Sequence, residues 1–147
     1  PVPRTGARPV SADDATVPDD VAPDDLSAKA QACRLLCLDL PDATSDFPFG
    51  PGAETFRVAQ KIFALLTRHP KVGGEHWHVN LKAEPELVPG LVAAHDDVLP
   101  GWHMNKKHWV SVVLHPDLDP ELLEQLVEDA YDLVVSGLPR SRRPMTH

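Results

Sequence analysis

Aromatic side chains are scarce in this chain of 147 residues: four phenylalanines, three tryptophans and a single tyrosine. A core must therefore rest on Val, Leu, Ile and Ala. There are only two cysteines, Cys33 and Cys37. They are too few for a disulfide framework, and four-residue spacing on one helix is poor disulfide geometry. They read as small buried apolar residues. No apolar run approaches the roughly 18–20 residues needed to span a membrane. No apolar segment followed by a small-residue cleavage motif is recognisable, so a cytoplasmic location is the expectation. Positive charge is also short. The formal net charge is -8, and residues 1–25 contribute half of it through six aspartates against two arginines. Such a balance argues against indiscriminate nucleic-acid binding, though a local basic patch remains compatible with it. Catalytic signatures are missing too: no GxSxG elbow, P-loop, GxGxxG after a strand, or HExxH. No catalytic residue, cofactor or metal ligand set is assigned, and the expectation is a protein that is not an enzyme.

What is present is an ordinary apolar share of 42%, enough for one folded domain. Residues 1–24, rich in Pro and Asp without helical or strand period, read as a disordered acidic tail. Residues 25–139 read as the domain, and 140–147 as a short basic tail. The first helix is expected over 26–40, with Asp24 or Asp25 as cap and Pro41 as stop. Phe47 and Phe49, in a Pro- and Gly-rich stretch, read as core plugs. Residues 55–67 form a hairpin turning at Ala59-Gln60, an unusual pair where Gly or Asn is preferred. Residues 68–74 read as loop. Residues 76–81 form a strand with His76, His78 and Asn80 on one face and Trp77, Val79 and Leu81 on the other. His76 and His78 could share a metal, but no third ligand stands near. A helix over 84–94 is expected with Pro85 at its first position, and Pro89 means that it starts late, kinks or is short. A strand over 110–114 and a helix capped by Asp119 complete the order. Strands grouped together predict an α+β fold, an antiparallel sheet with helices packed on one face.

The densest chemistry lies in Pro100-Gly101-Trp102-His103-Met104-Asn105-Lys106-Lys107-His108-Trp109. Lys106 and Lys107 could meet phosphates, His103, His108, Trp102 and Trp109 could stack on bases, and Asn105 could read a base edge or close a turn. Arg57, Lys61 and Lys82 could extend the patch from neighbouring strands. The competing expectation is a small-molecule or protein partner held where His103, Asn105 and Trp109 meet the sheet. Those residues equally suit a purely structural loop.

That segment, with Phe47-Pro48-Phe49-Gly50-Pro51, Phe56-Arg57-Val58, Lys61-Ile62-Phe63-Ala64-Leu65, Asn80-Leu81-Lys82 and Ala130-Tyr131-Asp132-Leu133-Val134, resembles the MmcQ/YjbR family. The resemblance runs from about Cys33 to Pro139. It implies a CyaY-like, frataxin-like α+β fold, and duplex DNA as a partner, since family members are commonly labelled DNA-binding. Ala59-Gln60 departs from the glycine-containing turn expected of the family. Frataxin-type iron binding is not carried over, because Asp39 is the only acid among residues 26–40.

Overall fold

The computed structural model describes residues 26–144; the segment 1–24, expected as an acidic tail, lies outside them. Helix α1 (Ala28–Leu38) buries Ala30, Cys33 and Cys37, one stripe at helical spacing. Both thiols are free. Its cap is not an aspartate: Ser27 Oγ accepts the backbone N–H of Ala30 at 3.1 Å. The helix stops two residues short of the expected end, because the position before Pro41 disfavours helical backbone.

Strands β1 (Thr44–Asp46), β2 (Glu54–Val58) and β3 (Lys61–Arg68) follow. The β2–β3 hairpin turns at Ala59-Gln60 as expected, and both residues take positive φ, 48° and 71°. That is the left-handed pair a two-residue hairpin needs, here without glycine. The turn's carbonyls are occupied: Arg142 Nη2 donates to Ala59 O at 2.8 Å and Arg57 Nη1 to Gln60 O at 3.2 Å.

Residues expected as loop contain a helical turn, α2 (Pro70–Gly73). His69 caps it, its Nδ1 accepting the Lys71 N–H at 3.1 Å. Histidine is outside the usual capping set, which hid the element. Strand β4 (Trp77–Lys82) leads to α3 (Val88–Ala94). The helix expected from Glu84 starts late, with Pro89 in its first turn, where its missing N–H costs nothing. Strand β5 (Val98–Pro100) was not expected; three residues ending in proline give almost no periodicity. Strand β6 (Trp109–Val113) and α4 (Pro120–Ser136) complete the domain, with Asp119 Oδ1 capping α4 through the Glu121 N–H at 3.0 Å. A 3-10 turn, Arg140–Arg142, then docks back on the β2–β3 hairpin through Arg142.

The six strands form one antiparallel sheet in the order β1-β2-β3-β4-β6-β5. Helices α1, α3 and α4 pack on one face, over a core that includes Phe56, Phe63, Leu66, Val79, Leu81, Val110, Val112, Val127 and Tyr131. The fold is therefore α+β, as expected. Among the described residues only the short α2 lies on the other face, where a Cβ at Gly73 would come within 2.8 Å of Val113 Cγ1. Phe47 is buried, but Phe49 is 72% exposed, so only the first is a core plug. Among the described residues no helix is long and apolar enough to cross a membrane.

Candidate functional site

Strict alternation along β4 sends Trp77, Val79 and Leu81 into the core and His78 and Asn80 to the opposite face, away from α1, α3 and α4. The register then builds a row across the sheet there: Thr55 pairs with Leu65, Leu65 with Asn80, and Asn80 with Ser111. One step along, Thr67 pairs with His78 and His78 with Val113. This face is neither solvated nor apolar. Thr55, His78, Asn80 and Ser111 are buried, at 0%, 0%, 2% and 0% exposure.

The cover comes from the segment after β5. Gly101 sits so close to β6 that a Cβ there would lie 2.7 Å from Trp109 Cβ and 3.0 Å from Trp109 O, so only glycine fits. The next residue, Trp102, donates its backbone N–H to Ser111 Oγ at 2.8 Å. The Ser111 hydroxyl in turn donates to Asn80 Oδ1. His103 turns back over the sheet with φ of 56°, a strained value for a residue with a side chain. Trp102 then packs between two histidines, tilted 41° to His69 at 5.1 Å between centroids and edge-on to His103 at 4.6 Å.

Between this ring cluster and the sheet lies a cavity of about 320 Å³, lined by the Thr55–Leu65–Asn80 row, by Ile62, Thr67, Arg68 and His78, and by Phe49, His69, Trp102, His103 and Met104. Its size falls at the lower end of the roughly 300–1,000 Å³ common for small-molecule sites. No carboxylate lines it. Three of its side chains are poorly satisfied. His78 Nδ1, His78 Nε2, Thr55 Oγ1 and Trp102 Nε1 are all buried and find no hydrogen-bond partner among the described residues. Burial, with the charge of His69 second, lowers the His78 pKa to about 4, so this imidazole is neutral near pH 7. A neutral imidazole offers one donor and one acceptor. Leaving such groups unpaired costs about 1–3 kcal/mol each.

A larger apolar depression of about 400 Å³ lies between α3 and α4, over Leu81, Leu91, Leu126 and Leu133. None of the buried polar atoms lacking a partner lines it, so it has no comparable call for a ligand.

The residues singled out in the sequence divide between two places. His103 lies on the rim of the sheet-face cavity. Arg57, Lys61, Lys82, His108 and Trp109 instead line an open groove of about 710 Å³ beside the C-terminal end of α4, together with Glu84 and Glu86. Trp109 is mostly buried, at 9% exposure, with Lys82 Nζ 5.4 Å from its ring centroid. Arg57 pairs with Asp46 at 3.2 Å. Asn105 closes a turn, its Oδ1 accepting the Lys107 N–H at 2.9 Å, and Lys106 Nζ donates to Gly101 O at 3.2 Å. Lys107 is exposed. Among the described residues no group of three or more His, Cys, Asp or Glu is placed to hold a metal; His76 packs edge-on against His115 instead, 4.4 Å between centroids.

Sequence reading missed Thr55, Ser111 and the role of His78. The available signal was polar residues interrupting apolar strands, above all Ser111 inside Val110-Ser111-Val112.

The family model described as YjbR matches residues 38–133. Across 116 residues the chain is 34% identical to the uncharacterized protein YbdF of Escherichia coli O157:H7, covering 79% of this chain and 92% of that one. It is 39% identical over 109 residues to the uncharacterized protein YjbR of Escherichia coli strain K12, covering 74% and 89%. The fold is similar to the crystal structure of Deinococcus radiodurans protein DR2400, with TM-score 0.63, 32% identity, and coverage of 74% of this chain and 80% of that one.

Proposed function

The chain belongs to the YjbR family, and from that premise we propose that it is a small-molecule-binding domain whose ligand occupies the sheet-face cavity. The observation that carries this reading is His78: fully buried, neutral, and with both ring nitrogens unpartnered beside a cavity of about 320 Å³. A fold gains nothing from burying such a ring unless something else supplies its hydrogen bonds. The proposal is of binding, not catalysis. A fragment library screened by two-dimensional NMR tests it. Saturable shifts should concentrate on Thr55, His78, Asn80 and Trp102, and a screen in which no fragment moves those signals refutes it.

A second reading, weak electrostatic binding of duplex DNA, is supported by the gathering of Arg57, Lys61, Lys82 and His108 around one groove. Glu84 and Glu86 in the same groove and the net charge of -8 count against it. Titration of labelled duplex at low salt decides. Binding should fall on joint Lys61→Ala and Lys82→Ala substitution, and separately on Lys106→Ala with Lys107→Ala. Equal binding by all variants removes this reading.

A further inference from the structure

We infer that the sheet-face cavity takes a flat cyclic amide or imide, a ring edge in which carbonyl acceptors flank an N–H donor. The inference rests on the small-molecule reading above and narrows it to one ligand class.

The hydrogen-bonding inventory of the cavity is the first argument. Trp102 Nε1 can only donate. His78 supplies one donor and one acceptor, and Thr55 Oγ1 can do either. The unpartnered set is therefore two fixed donors, one fixed acceptor and one hydroxyl that adapts. Its complement is two acceptors and one donor, with a fourth polar position of either kind. A cyclic imide edge, C=O, N–H, C=O, has that composition; a hydrocarbon ring or an amine does not. Asn80 does not alter the tally on the acceptor side, because its Oδ1 is already held by the Ser111 hydroxyl, whose own oxygen accepts from Trp102 N–H.

Charge is the second argument. No Asp or Glu lines the cavity while Arg68 does, so a cation would find no counter-charge and a like charge instead. A ligand bringing its own donors and acceptors without positive charge is the one accommodated.

Shape is the third. Four rings line the cavity, Phe49, His69, Trp102 and His103, with the last two set 70° to one another and Phe49 itself 72% exposed. Flat faces favour a planar ring. At about 320 Å³ the space suits a small ring system rather than a chain or a large cofactor.

Uracil tests the inference, against toluene as a flat ring without a polar edge and benzylamine as a flat ring with a cation. Each is titrated to millimolar concentration into the 15N-labelled 147-residue chain. The expected result is saturable shifts at Thr55, His78 and Trp102 with uracil, and roughly tenfold or weaker affinity for the other two, since each buried pair left unmade costs about that factor. Thr55→Val keeps shape while removing one hydrogen-bonding group, and it should lower uracil affinity roughly tenfold while leaving toluene unaffected. Toluene or benzylamine binding in the cavity as tightly as uracil overturns the ligand class and leaves the small-molecule reading standing. No shift at the cavity residues with any of the three probes overturns the ligand class, and the fragment screen then decides separately on the broader reading.

Discussion

Replacing His78 with leucine should make the ligand-free protein more stable, the reverse of the usual effect of changing a fully buried residue. His78 brings two ring nitrogens into the sheet without a protein partner. At about 1–3 kcal/mol for each unpaired group, less what cavity water recovers, the imidazole costs the fold about 1–2 kcal/mol near neutral pH. Leucine is close in size and carries no polar atom, so most of that should return as stability. Acid enlarges the effect. The folded-state pKa of about 4 lies below the unfolded value of 6.5, so the unfolded chain takes up the proton first. Stability is thus full above the unfolded pKa and is lost as pH falls through the window down to the folded pKa. For a shift of this size the wild-type loss between about pH 7.5 and about pH 4.5 comes to about 2.5 kcal/mol. Leucine does not titrate, so its advantage should grow to roughly 4 kcal/mol at the acid end. Urea unfolding followed by circular dichroism at the two pH values measures both differences. A leucine variant that is less stable at neutral pH, with no change in the gap on acidification, would mean that the ring nitrogens are satisfied after all, and the argument for a ligand would go with it.

Gly101→Ala should cost about 1–3 kcal/mol in urea unfolding, because its Cβ would meet the Trp109 backbone, and Trp102 fluorescence should report the displaced cover. His103→Gly should raise stability by about 0.5–1 kcal/mol by relieving a φ of 56°, while weakening any ligand that stacks on that ring. Gln60→Gly should stabilise the hairpin by a similar amount, read as a higher urea midpoint with unchanged slope. Tyr131→Phe removes the hydroxyl that donates to Pro41 O at 2.6 Å and should cost about 1 kcal/mol. Burial, with Asp42 and Asp132 adding to it, raises the phenol above its ordinary value of 10, so wild-type stability from this group is present below that value and lost as pH climbs through the raised one. The phenylalanine variant should lack that alkaline loss.

The sheet, the long C-terminal helix and the hairpin were legible because period and register agree there. Trp77, Val79 and Leu81 alternate cleanly, and Leu123, Leu126, Val127, Ala130 and Val134 repeat at helical spacing. Elements set by caps and contacts were not. Alternation identified which residues face away from the core, but not that this face would be covered. The cover depends on Gly101 approaching Trp109, a long-range steric fact that no local pattern encodes. The segment around His103 attracted notice for its composition, and only part of it reaches the cavity. His103 rims it, whereas Asn105 and Lys106 hold the loop's own backbone. Thr55 and Ser111 drew no notice, since a single hydroxyl interrupting an apolar strand is a weak signal beside a dense cluster of charged and aromatic residues.

Strand β4 serves both sides of the sheet with consecutive residues, Val79 and Leu81 inward, His78 and Asn80 outward. Point substitutions can therefore reshape the cavity while the interior stays intact. Inserting or deleting a single codon within the strand cannot: it would turn imidazole and carboxamide toward the helices and aliphatic groups toward the cavity in one step. Length variation among homologous chains should accordingly avoid this strand altogether and collect in the connections on either side of it.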